Sequence, residues 1–361
     1  DTSPSGVTAG DEILSTPSGS NISNALPASP IVITPDTAPN IPWRGALVYV
    51  NDLEGKITKI NLSNNTKGYE SGKLISGVTE LYDQTTLFKL NATEDNARYS
   101  YFAMDAGLGV SDGGFWLFGS TGNFTDLGGR QAGLDNILYG VQDKHYPYWK
   151  HLNGVTVPKA VVTPGADPIT INGEFVKLAH EGADAADSVS DALTCINTSG
   201  DKDGSKCPLP DDARAWVIHL EKDDNGNFLS PRTYRKASAS PTLFKGQVYY
   251  PIYQPPPNNN KCNQGNAFIC AADDECGTNS SADLTELEFS PVNEDGTPIP
   301  NPESNACGFV RKGVLSELVI FADKLFANVA GPSDDESTLF SILSIPGDVI
   351  TNKGGWRDSS F

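Results

Sequence analysis

Short apolar runs, separated by turn residues, recur along the chain and predict β-strands. The clearest pair covers residues 46–50 and 56–62, on either side of a turn at 51–55. In the second run apolar and polar residues alternate, which is typical of a strand that buries one face. The same unit of strand, tight turn and strand recurs at 240–253 and 315–329. Together these runs predict strands near 46–50, 56–62, 115–118, 136–141, 215–220, 247–253, 318–321 and 324–329.

The segment 113–143 is the stretch around which the rest of the chain is organised. Its first run, Phe115-Trp116-Leu117-Phe118, ends at Gly119 and a turn-rich STGN sequence. A polar, glycine-containing loop then leads into the second run at 136–141. Two buried strands joined by a polar loop are the unit of a sheet protein. The segment offers no nucleophile, general base or phosphate-binding loop.

The repeated strand pairs predict an all-β fold. Self-similarity without a strict period indicates antiparallel blades of a β-propeller that carry unequal insertions. The alternative is a set of ordinary hairpins in a β-sandwich, and the propeller is favoured. Residues 1–27 are rich in Ser, Thr, Gly and Pro and are predicted to be a linker or an edge segment. Residues 28–361 are predicted to form one propeller-like domain, with polar insertions at about 182–212 and 254–308.

Charge and hydropathy argue against a protein that binds nucleic acid or that binds or spans a membrane. The chain has 361 residues, 38% of them hydrophobic, and a formal net charge of −19. Such a charge argues against binding to nucleic acid or to an anionic membrane, since both would repel it. The sequence has no apolar run long enough to cross a membrane, no initiator Met and no signal peptide. We therefore expect a fragment or a processed product of an exported protein.

The cysteines predict disulfides. There are six, all in the second half of the chain and all in polar, loop-like sequence. An even count without a CxxC pair favours disulfides over a zinc site. Of the fifteen ways to pair six cysteines, the sequence selects none, but the short loop between Cys195 and Cys207 makes that pair our prediction.

One loop has the alternation of oxygen ligands that calcium can use. Calcium takes six to eight oxygens from flexible loops. No Glu occupies the twelfth position of an EF-hand, so a solvated loop is the favoured interpretation and calcium binding is left open. The candidate ligands are Asn197, Ser199, Asp201, Asp203 and Ser205.

Catalysis has little support in the sequence. The four histidines, at 145, 151, 180 and 219, have no HxH or HExxH spacing. The sequence has no GxSxG motif, no Walker loop and no GxGxxG motif at the start of a predicted helix. We expect a protein that is not an enzyme and has no catalytic residues or organic cofactor.

Two segments resemble the propeller-like C-terminal domain of the PilY/PilC proteins, the tip and biogenesis factors of type IV pili. The first matches through Val48-Tyr49, Asp52-Leu53, Gly55 and Asn61-Leu62. The second matches the family pattern of an aromatic strand, "FGTGKY" and "YGIWD", here FGSTGN at 118–123 and YGVQD at 139–143. The order of the motifs is that of the later blades of the family domain, so the first blades would lie upstream or have diverged.

The resemblance implies a function as well as a fold. It implies a non-enzymatic tip adhesin and regulator of pilus assembly, retraction and twitching motility at the bacterial cell surface, the pilus tip or the outer membrane. Pilins or minor pilins and an unidentified host or surface receptor would be its partners. The family calcium loop maps near Asp36, where three prolines and Arg44 make it look degenerate. The alternatives are another secreted propeller binding module or a quinone-dependent (PQQ-type) oxidoreductase; against the latter, the chain has no adjacent cysteines.

Overall fold

The computed structural model describes part of the chain. These are residues 25–33, 46–61, 68–70, 73–75, 83–109, 113–143, 146, 165–171, 174–178, 187–188, 193–195, 215–222, 226–257, 264–275, 277, 307–321, 324–331 and 340–344. The segments that carry Asp36 and residues 197–205 lie outside them.

The described residues form short strands and one 3₁₀ turn, Phe124–Asp126. The strands are β1 (Ile31–Ile33), β2 (Leu47–Asn51), β3 (Lys56–Asn61), β4 (Gly68–Glu70), β5 (Lys73–Ile75), β6 (Asp83–Lys89), β7 (Asp105–Leu108), β8 (Phe115–Ser120), β9 (Ile137–Asp143), β10 (Gly165–Ile171), β11 (Glu174–Leu178), β12 (Asp187–Ser188), β13 (Leu193–Cys195), β14 (Ala215–His219), β15 (Lys236–Ala237), β16 (Thr242–Phe244), β17 (Gln247–Gln254), β18 (Asn266–Asp273), β19 (Cys307–Lys312), β20 (Val314–Leu315), β21 (Val319–Phe321), β22 (Lys324–Ala330) and β23 (Phe340–Ser344). Every strand predicted from the sequence is present, with its ends shifted by at most two residues.

Four larger sheets follow one another along the chain. Sheet 1 has the order β1-β2-β3-β6-β12, and sheet 2 has the order β7-β8-β9-β14-β13. In sheet 3, β15 and β16 pair with β17, which continues into β18 and β19. In sheet 4, β22 pairs with β20, β21 and β23. The pairing is antiparallel except for two short strands, β12 on β6 and β13 on β14.

Three apolar interfaces join the four sheets in series. Interface 1, between sheets 1 and 2, contains Tyr49, Ile57 and Tyr139. Interface 2, between sheets 2 and 3, contains Trp116, Trp216 and other buried side chains. Interface 3 joins sheets 3 and 4. The result is a four-bladed propeller arrangement, and it confirms the predicted all-β, antiparallel fold.

Sheet 2 is buried on both faces, which explains why β8 is apolar at successive positions. Side chains point alternately to the two faces of a strand. Phe115 and Leu117 accordingly lie in interface 1, while Trp116 and Phe118 lie in interface 2. The segment 113–143 therefore provides the two central strands of the blade that links sheets 1 and 3.

The segment predicted as an insertion at 254–308 contains the whole of the blade strand β18 and the start of β19. β18 pairs with β17 along all eight of its residues, and β19 begins at Cys307. Cys270 and Cys307 face each other across β18 and β19 and form a disulfide. The prediction that every cysteine lies in polar loop sequence is wrong for this pair, because a disulfide packs as an apolar group and both residues are buried in interface 2.

The other predicted insertion, 182–212, includes β12 and β13 among its described residues. Cys207 lies outside the described residues, so the Cys195–Cys207 pairing stays a prediction.

Candidate functional site

The predicted metal ligands all fall outside the described residues, and calcium binding by Asp36 or by residues 197–205 stays a prediction. Within the described part of the chain, no three His, Cys, Asp or Glu side chains are grouped so that they could hold a metal ion. The segments 118–123 and 139–143, by contrast, lie within the described residues, and their contacts define the best candidate region.

The glycines of the segment 118–123 allow close packing. A Cβ atom at Gly119 would overlap the phenol ring of Tyr139, its neighbour on β9. At Gly122 a Cβ would come within 2.8 Å of the backbone nitrogen of Ala237, in the first strand of sheet 3. Each glycine therefore lets another part of the chain approach the backbone more closely than any side chain would permit.

Gly140, in the segment YGVQD, has the same role at interface 2. It pairs with Phe118 on one side and with Trp216 on the other. The two aromatic rings meet with their centroids 6.4 Å apart, and a Cβ at Gly140 would lie 2.5 Å from the indole. The indole Nε1 of Trp216 in turn donates a hydrogen bond of 2.9 Å to the carbonyl of Asp274 in sheet 3.

Polar motif residues connect sheets 2 and 3 through hydrogen bonds. The hydroxyl of Thr121 accepts a 2.9 Å bond from the backbone nitrogen of Ile137, and its carbonyl accepts one of 3.0 Å from Ala237. The amide of Asn136 donates a 2.9 Å bond to the carbonyl of Arg235. All of these groups are buried. Their hydrogen-bonding capacity is thus used for the fold.

A charged pair lies inside interface 1. The ammonium of Lys59, on β3, is 2.6 Å from Oδ2 of Asp143, the last residue of the YGVQD segment. The hydroxyl of Tyr49 donates a 2.7 Å hydrogen bond to the same oxygen. Burial lowers the pKa of Lys59, although the nearby Asp143 opposes this effect. Burial, with the charge of Asp143, raises the pKa of Tyr49 well above its ordinary value.

A second ionic cluster centres on Asp135, just before β9. Its carboxylate accepts from Arg98, in the segment that follows sheet 1, and from Lys222 at 2.7 Å. Nδ1 of His219 lies 2.8 Å from the other carboxylate oxygen. Burial alone would raise the pKa of Asp135, but His219, Arg98 and Lys222 outweigh burial and hold this pKa well below its usual range.

Glu221 organises the connection from sheet 2 to sheet 3. Its side chain is fully buried and accepts from Nε of Arg232 at 3.0 Å, from the backbone and hydroxyl of Thr233, and from the backbone nitrogen of Arg235 at 2.9 Å. A single carboxylate therefore binds three residues of the segment 232–235. Tyr234, in the same segment, has a left-handed backbone with φ of 54°.

Cations and aromatic rings alternate beside this connection. Tyr234 lies between Arg130 and Arg232, at cation-to-ring distances of 5.3 and 5.1 Å. Phe228 lies between Arg232 and Lys222, at 4.0 and 5.5 Å. The guanidinium of Arg232 also donates to the carbonyls of Ala132 and Leu134, and that of Arg130 donates to the carbonyl of Pro257. These cations fasten neighbouring loops to each other, and stacking on the rings adds to that effect.

No spacing motif in the sequence points to the ionic roles of Asp135 and Glu221. Each is a single acid. The partners of Asp135, such as Arg98 and Lys222, come from segments that are far apart along the chain, and those of Glu221 lie in the segment after the turn, at residues 232–235. A spacing motif cannot reveal such a cluster. Of the four histidines, His219 is the one among the described residues, and it serves the Asp135 cluster.

Comparison with known proteins finds similarity among solved structures. No protein-family model and no curated protein matches the chain. Among solved structures, the chain is similar to the C-terminal domain of PilY1 from Pseudomonas aeruginosa, with a TM-score of 0.44 and 11% sequence identity. The match covers 83% of this chain and 57% of that domain, so the chain spans little more than half the length of the solved structure. The described segments include no apolar helix of membrane-spanning length.

Proposed function

We propose that the chain is a propeller domain of a non-enzymatic surface protein associated with type IV pili, acting in adhesion and in pilus assembly. One observation carries the proposal. The residues that resemble the PilY/PilC pattern, in the segments 118–123 and 139–143, occupy the positions where sheet 2 contacts sheets 1 and 3. The resemblance therefore concerns residues that build the blade interfaces.

The chemistry of these residues favours binding over catalysis. Thr121 and Asp143 are buried and hydrogen-bonded to other parts of the fold, as is the neighbouring Asn136. A catalytic motif would instead leave a polar group free to meet a substrate. In a rigid scaffold of this kind, recognition is the task of the connecting loops. The partners we propose are pilins or minor pilins at the pilus tip and a receptor on a host or other surface.

The acidic character of the chain fits a location outside the cell. With a net charge of −19, the domain repels nucleic acid and anionic lipid. The Cys270–Cys307 disulfide is of the kind that persists in oxidising compartments. Both features support the location that we propose, which is the bacterial surface, at the pilus tip or on the outer membrane.

Localisation and genetics test the proposal together. Immunogold labelling of intact cells with antibody against the domain should mark pili, and deletion of the gene should reduce surface piliation and twitching. Complementation with the wild-type gene or with Gly128→Ala should restore both, because a Cβ at Gly128 has no neighbour closer than 4.0 Å. A deletion strain with normal piliation, and label that avoids pili, would contradict the proposal.

Titration with pyrroloquinoline quinone separates this proposal from the oxidoreductase alternative. The chain has no adjacent cysteine pair to support the quinone. We expect no saturable change in the quinone spectrum and no oxidation of alcohols or sugars. A saturable spectral change accompanied by turnover would favour the enzyme.

A further inference from the structure

The contact between Lys59 and Asp143 brings a nucleophile and an acyl carbon together in a site shielded from water. The two side chains are 1% and 0% exposed, and Nζ lies 2.6 Å from Oδ2. They belong to different sheets, and the apolar side chains of interface 1 surround them, among them Leu47, Ile57 and Val141. We propose that Lys59 and Asp143 condense into an amide, so that an isopeptide bond links sheet 1 to sheet 2 covalently.

Nζ of Lys59 must lose a proton before it can attack Cγ, and the apolar surroundings assist that step. Charged groups are costly in an apolar interior unless they are paired, and transfer of a proton from Nζ to Oδ2 removes both charges at once. The product of that transfer is a free amine beside a carboxylic acid. Burial also lowers the pKa of Lys59, in the direction that increases the population of free amine.

The condensation balances without any further reactant. The lone pair of Nζ attacks Cγ of Asp143 and forms the C–N bond. The bond from Cγ to Oδ2 breaks, and Oδ2 leaves as water with two protons that come from the ammonium. Nζ keeps its third hydrogen as the amide N–H. No atom changes oxidation state, and the charges of the original ion pair cancel.

Tyr49 is placed to assist the departure of water. Its hydroxyl donates a 2.7 Å hydrogen bond to Oδ2, the oxygen that leaves. It can pass its proton to that oxygen and regain one from Nζ. Burial and the charge of Asp143 raise its pKa well above the ordinary value, which keeps the hydroxyl protonated and able to donate at neutral pH.

Intact-mass spectrometry of the folded, purified protein tests the proposal directly. We expect a mass lower by one water molecule than the sequence mass corrected for disulfides. Proteolysis under reducing conditions should give one branched peptide that contains both Lys59 and Asp143. A mass that shows no loss of water in the folded protein would overturn the proposal.

Lys59→Arg is the matched control, because arginine keeps a positive charge next to Asp143 but has no amine that can form this amide. Lys59→Arg should fold and show the sequence mass without loss of water. Folded Asp143→Ala should show the same result. Loss of water that persists in Lys59→Arg would place the reaction elsewhere and overturn the assignment. Tyr49→Phe should form the cross-link more slowly, and an unchanged rate would exclude the role given to Tyr49.

Discussion

Gly140 lies beneath the indole of Trp216 so closely that a Cβ atom added to it would be 2.5 Å from the ring. The two residues are direct cross-strand partners on β9 and β14. Phe118 flanks Gly140 from the other side, and its ring centroid is 6.4 Å from that of Trp216. A glycine in the middle of a buried strand usually weakens it, so this one is explained by the approach of the two rings.

Gly140→Ala is therefore expected to destabilise the domain by about 2 kcal/mol, because overpacking a close-packed core typically costs 1–3 kcal/mol. Chemical denaturation followed by tryptophan fluorescence measures the change. Gly128→Ala is the control, since its new Cβ would have no neighbour closer than 4.0 Å, and it should change stability little. Equal effects of the two substitutions would show that the indole does not restrict position 140.

The Asp135 cluster predicts a loss of stability that depends on pH. Asp135→Asn removes the charge that faces Arg98 and Lys222, and breaking a buried pair costs about 3 kcal/mol. Because the pKa of Asp135 is depressed in the folded protein, its contribution is present above the unfolded pKa of about 4 and is lost as the pH falls through the lower folded pKa.

Denaturation of wild type and Asp135→Asn between pH 7 and pH 3 checks this prediction. The difference should be largest near neutrality and should narrow below about pH 4. Asp95→Asn, at an exposed position, is the control and should follow the wild type throughout. A difference that is independent of pH would mean that the charge of Asp135 is not what stabilises the cluster.

The sequence predicts the strands of this fold better than it predicts their contacts. The run Phe115 to Phe118 and the alternation after residue 56 are local patterns, and they place β8 and β3 correctly. The same alternation gives no reason to bury Lys59. In the structure Ile57 and Lys59 both face sheet 2, whereas Ile60 packs with Val48 and Val50 on the opposite face.

The failure at Lys59 has a physical cause. Its partner, Asp143, is 84 residues away in another sheet, so no local pattern could reveal that the ammonium is paired. The loop predicted around Cys270 is wrong for a related reason. Polar residues on both sides of β18 suggest an insertion, while the strand itself is set by pairing with β17 and β19.

Two adjacent tyrosines should respond to phenylalanine with opposite signs. Tyr249 is fully buried, and its hydroxyl has no hydrogen-bond partner among the described residues. The hydroxyl of Tyr250 donates a 3.1 Å bond to the carbonyl of Tyr139 across interface 2. Tyr249→Phe should stabilise the protein by about 1 kcal/mol, and Tyr250→Phe should destabilise it by about the same amount.

The effect of Tyr249→Phe should also grow at alkaline pH. Burial raises the pKa of Tyr249 to about 12. Tyrosine therefore contributes its full stability below its unfolded pKa, near 10, and loses it as the pH rises toward the folded value. Denaturation at pH 8, 10 and 11 should show the advantage of phenylalanine widening above pH 10. A constant advantage would contradict the raised pKa.

Calcium binding is predicted to be absent from the loop at 34–44. Asp36 is its one carboxylate, and a hard divalent cation needs several oxygen ligands to replace its hydration. If the domain binds calcium at all, the loop at 197–205 is the better candidate. Calorimetry should give the same result for wild type and Asp36→Ala, while Asp201→Ala/Asp203→Ala should lose any binding that is seen. Tight binding abolished by Asp36→Ala would show that the prediction is wrong.

The Cys270–Cys307 disulfide should be the strongest single contributor to stability among the cysteines. It closes a segment with a sequence separation of 37, for which the chain-entropy relation gives about 3–4 kcal/mol. Cys270→Ala/Cys307→Ala should lower the unfolding free energy by that order. The predicted Cys195–Cys207 disulfide closes a shorter loop. Its removal in Cys195→Ala/Cys207→Ala should therefore lower the unfolding free energy by less. Thiol labelling of the unreduced native protein decides the pairing, and free thiols at Cys270 and Cys307 would contradict it.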